Sequence, residues 1–161
     1  MIDLVNKIVG EWIPEVLWRK VIEAIPIACV DVLVENGRGD VLLGWRRIPP
    51  YKDVWALPGG RLMKGEKLKA AATRILDEYG LIVGDMFLVG VFPVKFPSRA
   101  DVSICIAGVY CNGDPKPDGK EFSSFSWTKK VPKGIGANYR RMIGRWRAMK
   151  KKPDVTKFDR L

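Results

Sequence analysis

Between Pro58 and Gly80 the chain sets a glycine pair, a guanidinium and several carboxylates at fixed intervals: Gly59-Gly60, Glu66, Arg74, Asp77 and Glu78. Glycine lets backbone approach a ligand without a Cβ in the way. Carboxylates are the usual protein ligands of hard cations such as Mg2+. A guanidinium offers a fork of donors that fits phosphate or carboxylate oxygens two at a time. Arg74 and Glu78 are four residues apart with Asp77 beside them, so on a helix cation and acids share a face. One further carboxylate stands out by its surroundings. Asp31 interrupts the apolar run IPIACVDVLV, where an acid must find a partner or raise its pKa. It reads either as a functional group or as an acid at a strand end bonded to a turn.

These groups need elements to hold them. Leu68, Ala71, Ala72, Ile75, Leu76 and Tyr79 recur at intervals of three and four, which predicts a helix with one apolar stripe, stopped by Gly80. Ile25–Val34 reads as a central strand, apolar on both faces. Asn36-Gly37-Arg38-Gly39 has hairpin-turn chemistry. A strand at 41–45 follows and delivers Arg46 and Arg47 to a proline-rich loop. Further strands are expected at 87–92 and 102–110. The stretch 93–101 between them is expected to be a mobile loop whose Lys95 and Arg99 could close over a ligand. Residues 137–149 predict a last helix with Tyr139, Met142, Ile143 and Trp146 inward and its basic residues in solvent. At the N-terminus, Leu4, Ile8 and Val9 suggest one short helix. A second starts at Pro14, with Val16, Leu17, Val21 and Ile22 facing in.

The chain's 161 residues suit one domain, with 1–24 as an N-terminal helical extension and 150–161 as a basic tail, docked through Phe158. The net charge of +10 is uneven: residues 1–128 hold sixteen basic and sixteen acidic side chains, and residues 129–161 hold twelve and two. The body is therefore neutral, and a nucleic-acid reading rests on the tail alone. Cys29, Cys105 and Cys111 lie in apolar, strand-like settings without metal-ligand spacing, so buried free thiols in a reducing cytoplasm are expected. No apolar run reaches the ~20 residues that span a bilayer, and MIDLVNKIVGEW lacks a basic-then-apolar leader.

Gly60, Glu66, Arg74, Glu78 and Gly80-Leu81 together resemble a Nudix box, the loop-helix signature of the Nudix hydrolases. Two departures stand out: Ile75 occupies the place of a glutamate after the arginine, and the interval from Arg74 to Gly80 is one residue short. Loss of that glutamate is itself similar to the GDP-mannose mannosyl hydrolases, as are the PGGR turn and the chain from Leu17 to Trp127. The resemblance implies an α/β/α sandwich over a mixed sheet and a homodimer in which the leading helix packs at the subunit contact, the alternative being a helix that simply covers the body. It also implies a substrate site containing Asp31 and Arg46, and a second acid at Glu121, in a Gly-Lys-Glu setting ahead of Trp127. Substrate contacts fall to Arg46, Arg61, Arg74 and Asp31. Glu78, Glu121, Asp77 and a carbonyl of the Gly59-Gly60 turn would ligate Mg2+, or Mn2+ in its place. With few acids on the helix, one ion is expected. The implied reaction is hydrolysis of a nucleoside diphosphate sugar at the sugar's C1, GDP-mannose to GDP and mannose, with Arg61 and Arg46 stabilising the departing diphosphate. The subgroup's histidine base has no counterpart, because the chain has no histidine. Glu121 or Asp31 is left to take the proton. A pyrophosphatase of another nucleoside diphosphate compound and a weakly catalytic nucleotide- or nucleic-acid-binding module remain as alternatives.

Overall fold

The structure is a computed structural model and describes residues 13–152. The helix expected around Leu4–Val9 and the docking of Phe158 lie outside the described residues. In chain order the elements are α1 (Glu15–Ala24), β1 (Ile27–Glu35), β2 (Val41–Arg46), β3 (Val54–Ala56), β4 (Gly59–Arg61), α2 (Leu68–Asp77), β5 (Ile82–Lys95), β6 (Ala100–Asn112), β7 (Phe122–Thr128) and α3 (Ala137–Met149). The strands make one seven-stranded mixed sheet of order β3-β2-β1-β6-β5, with β4 added to β1 and β7 to β2. β1 and β6 run parallel, and the other pairs are antiparallel.

β1 is central because its residues are buried on both faces: Val30, Val32 and Val34 on one, Asp31 and Leu33 on the other. Box helix α2 covers the valine face. Gly60 pairs with Val30, and a Cβ on Gly60 would touch Ile75 Cγ1 at 3.4 Å. The expected stripe is the buried one: Ala71, Ala72, Ile75, Leu76 and Tyr79 are buried and Leu68 is half-buried. Gly80, at φ 69°, then turns the chain, and Leu81 N donates to Leu76 O at 3.1 Å. α3 covers the opposite face, burying Tyr139, Met142, Ile143 and Trp146 as expected, with Trp146 Nε1 donating to Glu35 Oε2 at 3.2 Å. The result is an α/β/α sandwich.

Three expectations need correcting. Val16 and Leu17 are 72% and 52% exposed and α1 buries no residue, because the helix contributes nothing to the hydrophobic core. The loop expected at 93–101 is mostly strand: β5 runs to Lys95 and β6 begins at Ala100, closed by Phe96 N to Arg99 O at 2.8 Å. Cys111 is exposed, though all three thiols are free. The basic residues of α3 stay on the solvent side as expected, Arg140, Arg141 and Arg145 being exposed. Arg140 and Arg147 donate to the carbonyls of Pro132 and Lys129, and Lys150, just past the helix, pairs with Glu35 at 2.6 Å. Among the described residues no helix is long and apolar enough to cross a membrane.

Candidate active site

The sheet splits at the middle of β1. Its first half, at Cys29–Asp31, pairs with β4, while β2 diverges toward β3 and β7. Strand alternation puts Cys29, Asp31, Gly59 and Arg61 on one face, and the parallel register with β6 adds Asp101 and Ser103 to it. These residues wall a cavity of about 500 Å3, closed from other sides by Arg46, Tyr51, Glu121 and Asn138 and, from α1, by Trp18. That volume lies within the ordinary range for small-ligand sites.

Asp31 sits mid-strand, not at a strand end. It accepts a short hydrogen bond from Ser103 Oγ on Oδ2, and its Oδ1 fills the space a Cβ on Gly59 would need. Gly59 is therefore a close-approach glycine. Burial pushes the Asp31 carboxyl up to about 6, against the pull of the Ser103 bond and of Arg46. Arg46, at the end of β2, pairs closely with Glu121 and also donates from Nε to Ile48 O at 3.1 Å and from Nη2 to Pro49 O at 3.3 Å. Glu121 is raised by burial, opposed by Arg46 and reinforced by the charges of Asp118 and Glu78. Asp118 is itself committed. Burial works against its charge, but the backbone N–H groups of Phe122, Glu121 and Lys120 hold it low, and they shape the turn that presents Glu121. Arg61 lies under Trp18, its guanidinium carbon 4.6 Å from the ring centre.

Packing between neighbours brings Glu78 and Glu121 toward each other. Tyr79, one residue after Glu78, meets Phe122, one residue after Glu121, with ring centres 5.4 Å apart. Gly44 makes room, since a Cβ there would strike the Phe122 ring. Glu78 stands at the C-terminal end of α2, where the helix dipole disfavours an anion.

The expected site residues thus divide. Asp31, Arg46, Gly59, Arg61 and Glu121 share the cavity, and Glu78 approaches its Glu121 side. Arg74 and Asp77 are not in the cavity wall. Arg74 is occupied in a fork on Glu66, at 2.7 and 2.9 Å, and donates to Arg61 O at 3.0 Å, while its approach to Glu78 is 3.9 Å. It ties the loop after the glycine turn to the helix, and Glu66 continues the tie by accepting from Met63 N at 3.0 Å. Asp77 is exposed on α2, about 100° around the helix from Glu78. Asp101, Arg99 and Asn138 were missed as site residues, apart from Arg99 as a loop cation. Their only sequence signal is polarity within an apolar strand or helix face.

As to metal, no group of three or more His, Cys, Asp or Glu is gathered to hold an ion among the described residues. Two carboxylates, Glu78 and Glu121, repel each other at the cavity's edge. That donor set fits a hard cation that draws the rest of its shell from water and substrate phosphate, as Mg2+ commonly does, and does not fit an all-protein cage.

A mixed sheet between two helical layers, with a glycine turn and a box helix flanking one cavity, defines a Nudix-type fold. The NUDIX domain family model matches residues 26–130, and the chain belongs to that family. It is similar to the low-salt glycan biosynthesis protein Agl8 of Haloferax volcanii, at 36% identity over 66 residues, 41% of this chain. That match spans only 42% of the Haloferax protein. It is also similar to a putative 8-oxo-dGTP diphosphatase of Bacillus subtilis, at 31% identity over 70% of this chain and 74% of the relative. Among solved structures, the MutT protein of Methanosarcina mazei Go1 superposes with a TM-score of 0.69 at 26% identity, covering 80% of this chain and 99% of that one.

Proposed function

We propose that this Nudix hydrolase cleaves a nucleoside diphosphate sugar by water attack at the sugar's C1, releasing the nucleoside diphosphate whole. GDP-mannose is the first compound to try, on the resemblance of the box and the PGGR turn. The observation that carries the reading is the placement of Asp31 in the wall of the same cavity as Arg46, Arg61 and Glu121. Glu121 is a poor base while paired with Arg46, whereas Asp31 has, among the described residues, a neutral donor as its hydrogen-bond partner and a pKa pushed up to about 6. Ile75, 1% exposed against the core, leaves α2 without the further acid that phosphorus chemistry usually draws on.

Asp31 takes a proton from water as the water oxygen bonds to C1. The C1–oxygen electron pair leaves with the diphosphate, toward Arg46 and Arg61. Glu78 and Glu121 would hold a divalent cation, which would supply further positive charge against the leaving group. Trp18 orients Arg61 by stacking on it. The partner is a small nucleotide-sugar, in a cytoplasmic homodimer by the same resemblance.

The name of the Haloferax relative, a glycan biosynthesis protein, supports sugar chemistry. A second reading, attack at phosphorus, is favoured by the name of the Bacillus relative, a diphosphatase, which matches more of the chain. The test is a panel of nucleoside diphosphate sugars and nucleoside triphosphates with Mg2+, products separated by chromatography. Free sugar plus nucleoside diphosphate is expected. Turnover confined to triphosphates would refute the proposal.

A further inference from the structure

Three buried polar atoms among the described residues have no hydrogen-bond partner: Arg99 Nε, Asp101 Oδ1 and Asn138 Oδ1. All three belong to residues of the cavity wall, and Asp101 and Asn138 are each 7% exposed. Buried polar groups are ordinarily satisfied, so three exceptions in residues that line one cavity point to groups kept for a ligand. Arg99 and Asp101 are already joined once, Nη2 to Oδ2 at 2.7 Å, which fixes the remaining donor and the remaining acceptor beside each other. A hydroxyl group fits that pair best. It accepts from Arg99 Nε–H and donates to Asp101 Oδ1 at the same time. An N–H or a carbonyl of a nucleobase can satisfy only one of the two.

Position agrees with this chemistry. Asp101 precedes by two residues Ser103, the partner of Asp31, and shares its face of β6. Two residues of strand span about 6.6 Å, the scale of one hexose ring with its hydroxyls. A ring whose C1 stands at Asp31 therefore reaches Asp101 with its far side. Phe96, against which Arg99 stacks at 5.7 Å, and Trp18 give flat apolar walls for the ring's C–H faces.

We infer that Arg99, Asp101 and Asn138 form the glycosyl subsite, reading the sugar's hydroxyls and setting which nucleotide-sugar is turned over. The subsite rests on the nucleotide-sugar reading above and assigns the end of the cavity that the mechanism leaves unused. The three are specificity residues, distinct from the groups that act at C1.

The test uses the full chain, a set of nucleotide-sugars sharing one base and differing in the sugar, and calorimetric titration with the matching nucleoside diphosphate alone. Asp101→Asn is expected to lower kcat/KM for the best sugar about ten- to a hundredfold and to flatten the preference among sugars, as loss of a charged hydrogen-bond partner does. Affinity for the nucleoside diphosphate should stay within about twofold. Asn138→Ala removes an oxygen with no partner in the protein, so it tests the same idea in a variant that loses no side-chain Oδ1 bond; it should shift the sugar preference likewise. An unchanged sugar preference in both variants, or a fall in diphosphate affinity matching the fall in kcat/KM, overturns the subsite. A wild-type protein that binds the diphosphate yet turns over no nucleotide-sugar refutes the underlying reading, and the subsite with it.

Discussion

Asp31 is worth most and costs most. Its folded carboxyl holds a proton up to about pH 6, against an ordinary value of 3.8. The native state therefore binds more protons than the unfolded state between those values, and stability falls as pH rises through that window. Asp31→Asn keeps an acceptor for Ser103 and removes the buried charge. It should raise stability above pH ~7 by about 2 kcal/mol and flatten the acid dependence, read from urea midpoints across pH. The same change should lower kcat about 10²–10⁴-fold and remove the limb near pH ~6 from the rate profile. A variant that is stabilised but fully active would deny Asp31 its role as base. Glu78→Gln tests the outer carboxylate separately. Mg2+-dependent turnover should fall at least about a hundredfold with little change in Tm, because the side chain is largely exposed.

At the level of elements, Arg74 shows how one helix holds a loop. Its fork on Glu66 is bidentate, which lysine cannot reproduce. Arg74→Lys should cost about 1–3 kcal/mol and raise KM, through a loosened loop after Gly60. α1 contributes differently. It buries nothing, so Trp18→Ala should leave Tm nearly unchanged and raise KM several-fold by freeing Arg61, a contact worth ~0.5–1 kcal/mol. The periodic elements were readable in advance. The stripe from Leu68 to Tyr79 and the helix at 137–149 carry their spacing in sequence, and so does the two-faced apolar β1. What joins them was not. Glu121 meets Arg46 across 75 residues, and Ser103 meets Asp31 across 72. The pairing of β1 with β6 and of β2 with β7 makes those contacts, and local spacing holds no trace of either. The 93–101 segment reads as a loop because Pro93, Pro97 and Ser98 punctuate it. Proline at Pro93 is tolerated in β5, however, and the true turn is just four residues.

For the molecule as a whole, charge and metal are separate matters. The excess of basic residues falls after residue 128 in the sequence, whereas Glu78 and Glu121 belong to the charge-neutral body, so turnover should respond to Mg2+ and chelator far more than to moderate salt. The central claim is that bond cleavage occurs at carbon, with the diphosphate leaving intact. It is tested most directly by turnover of a nucleotide-sugar in water enriched in heavy oxygen, with the products followed by mass spectrometry and phosphorus NMR. We predict the label in the free sugar and none in the nucleoside diphosphate. Label on a phosphate, accompanied by nucleoside monophosphate and sugar phosphate, would contradict it.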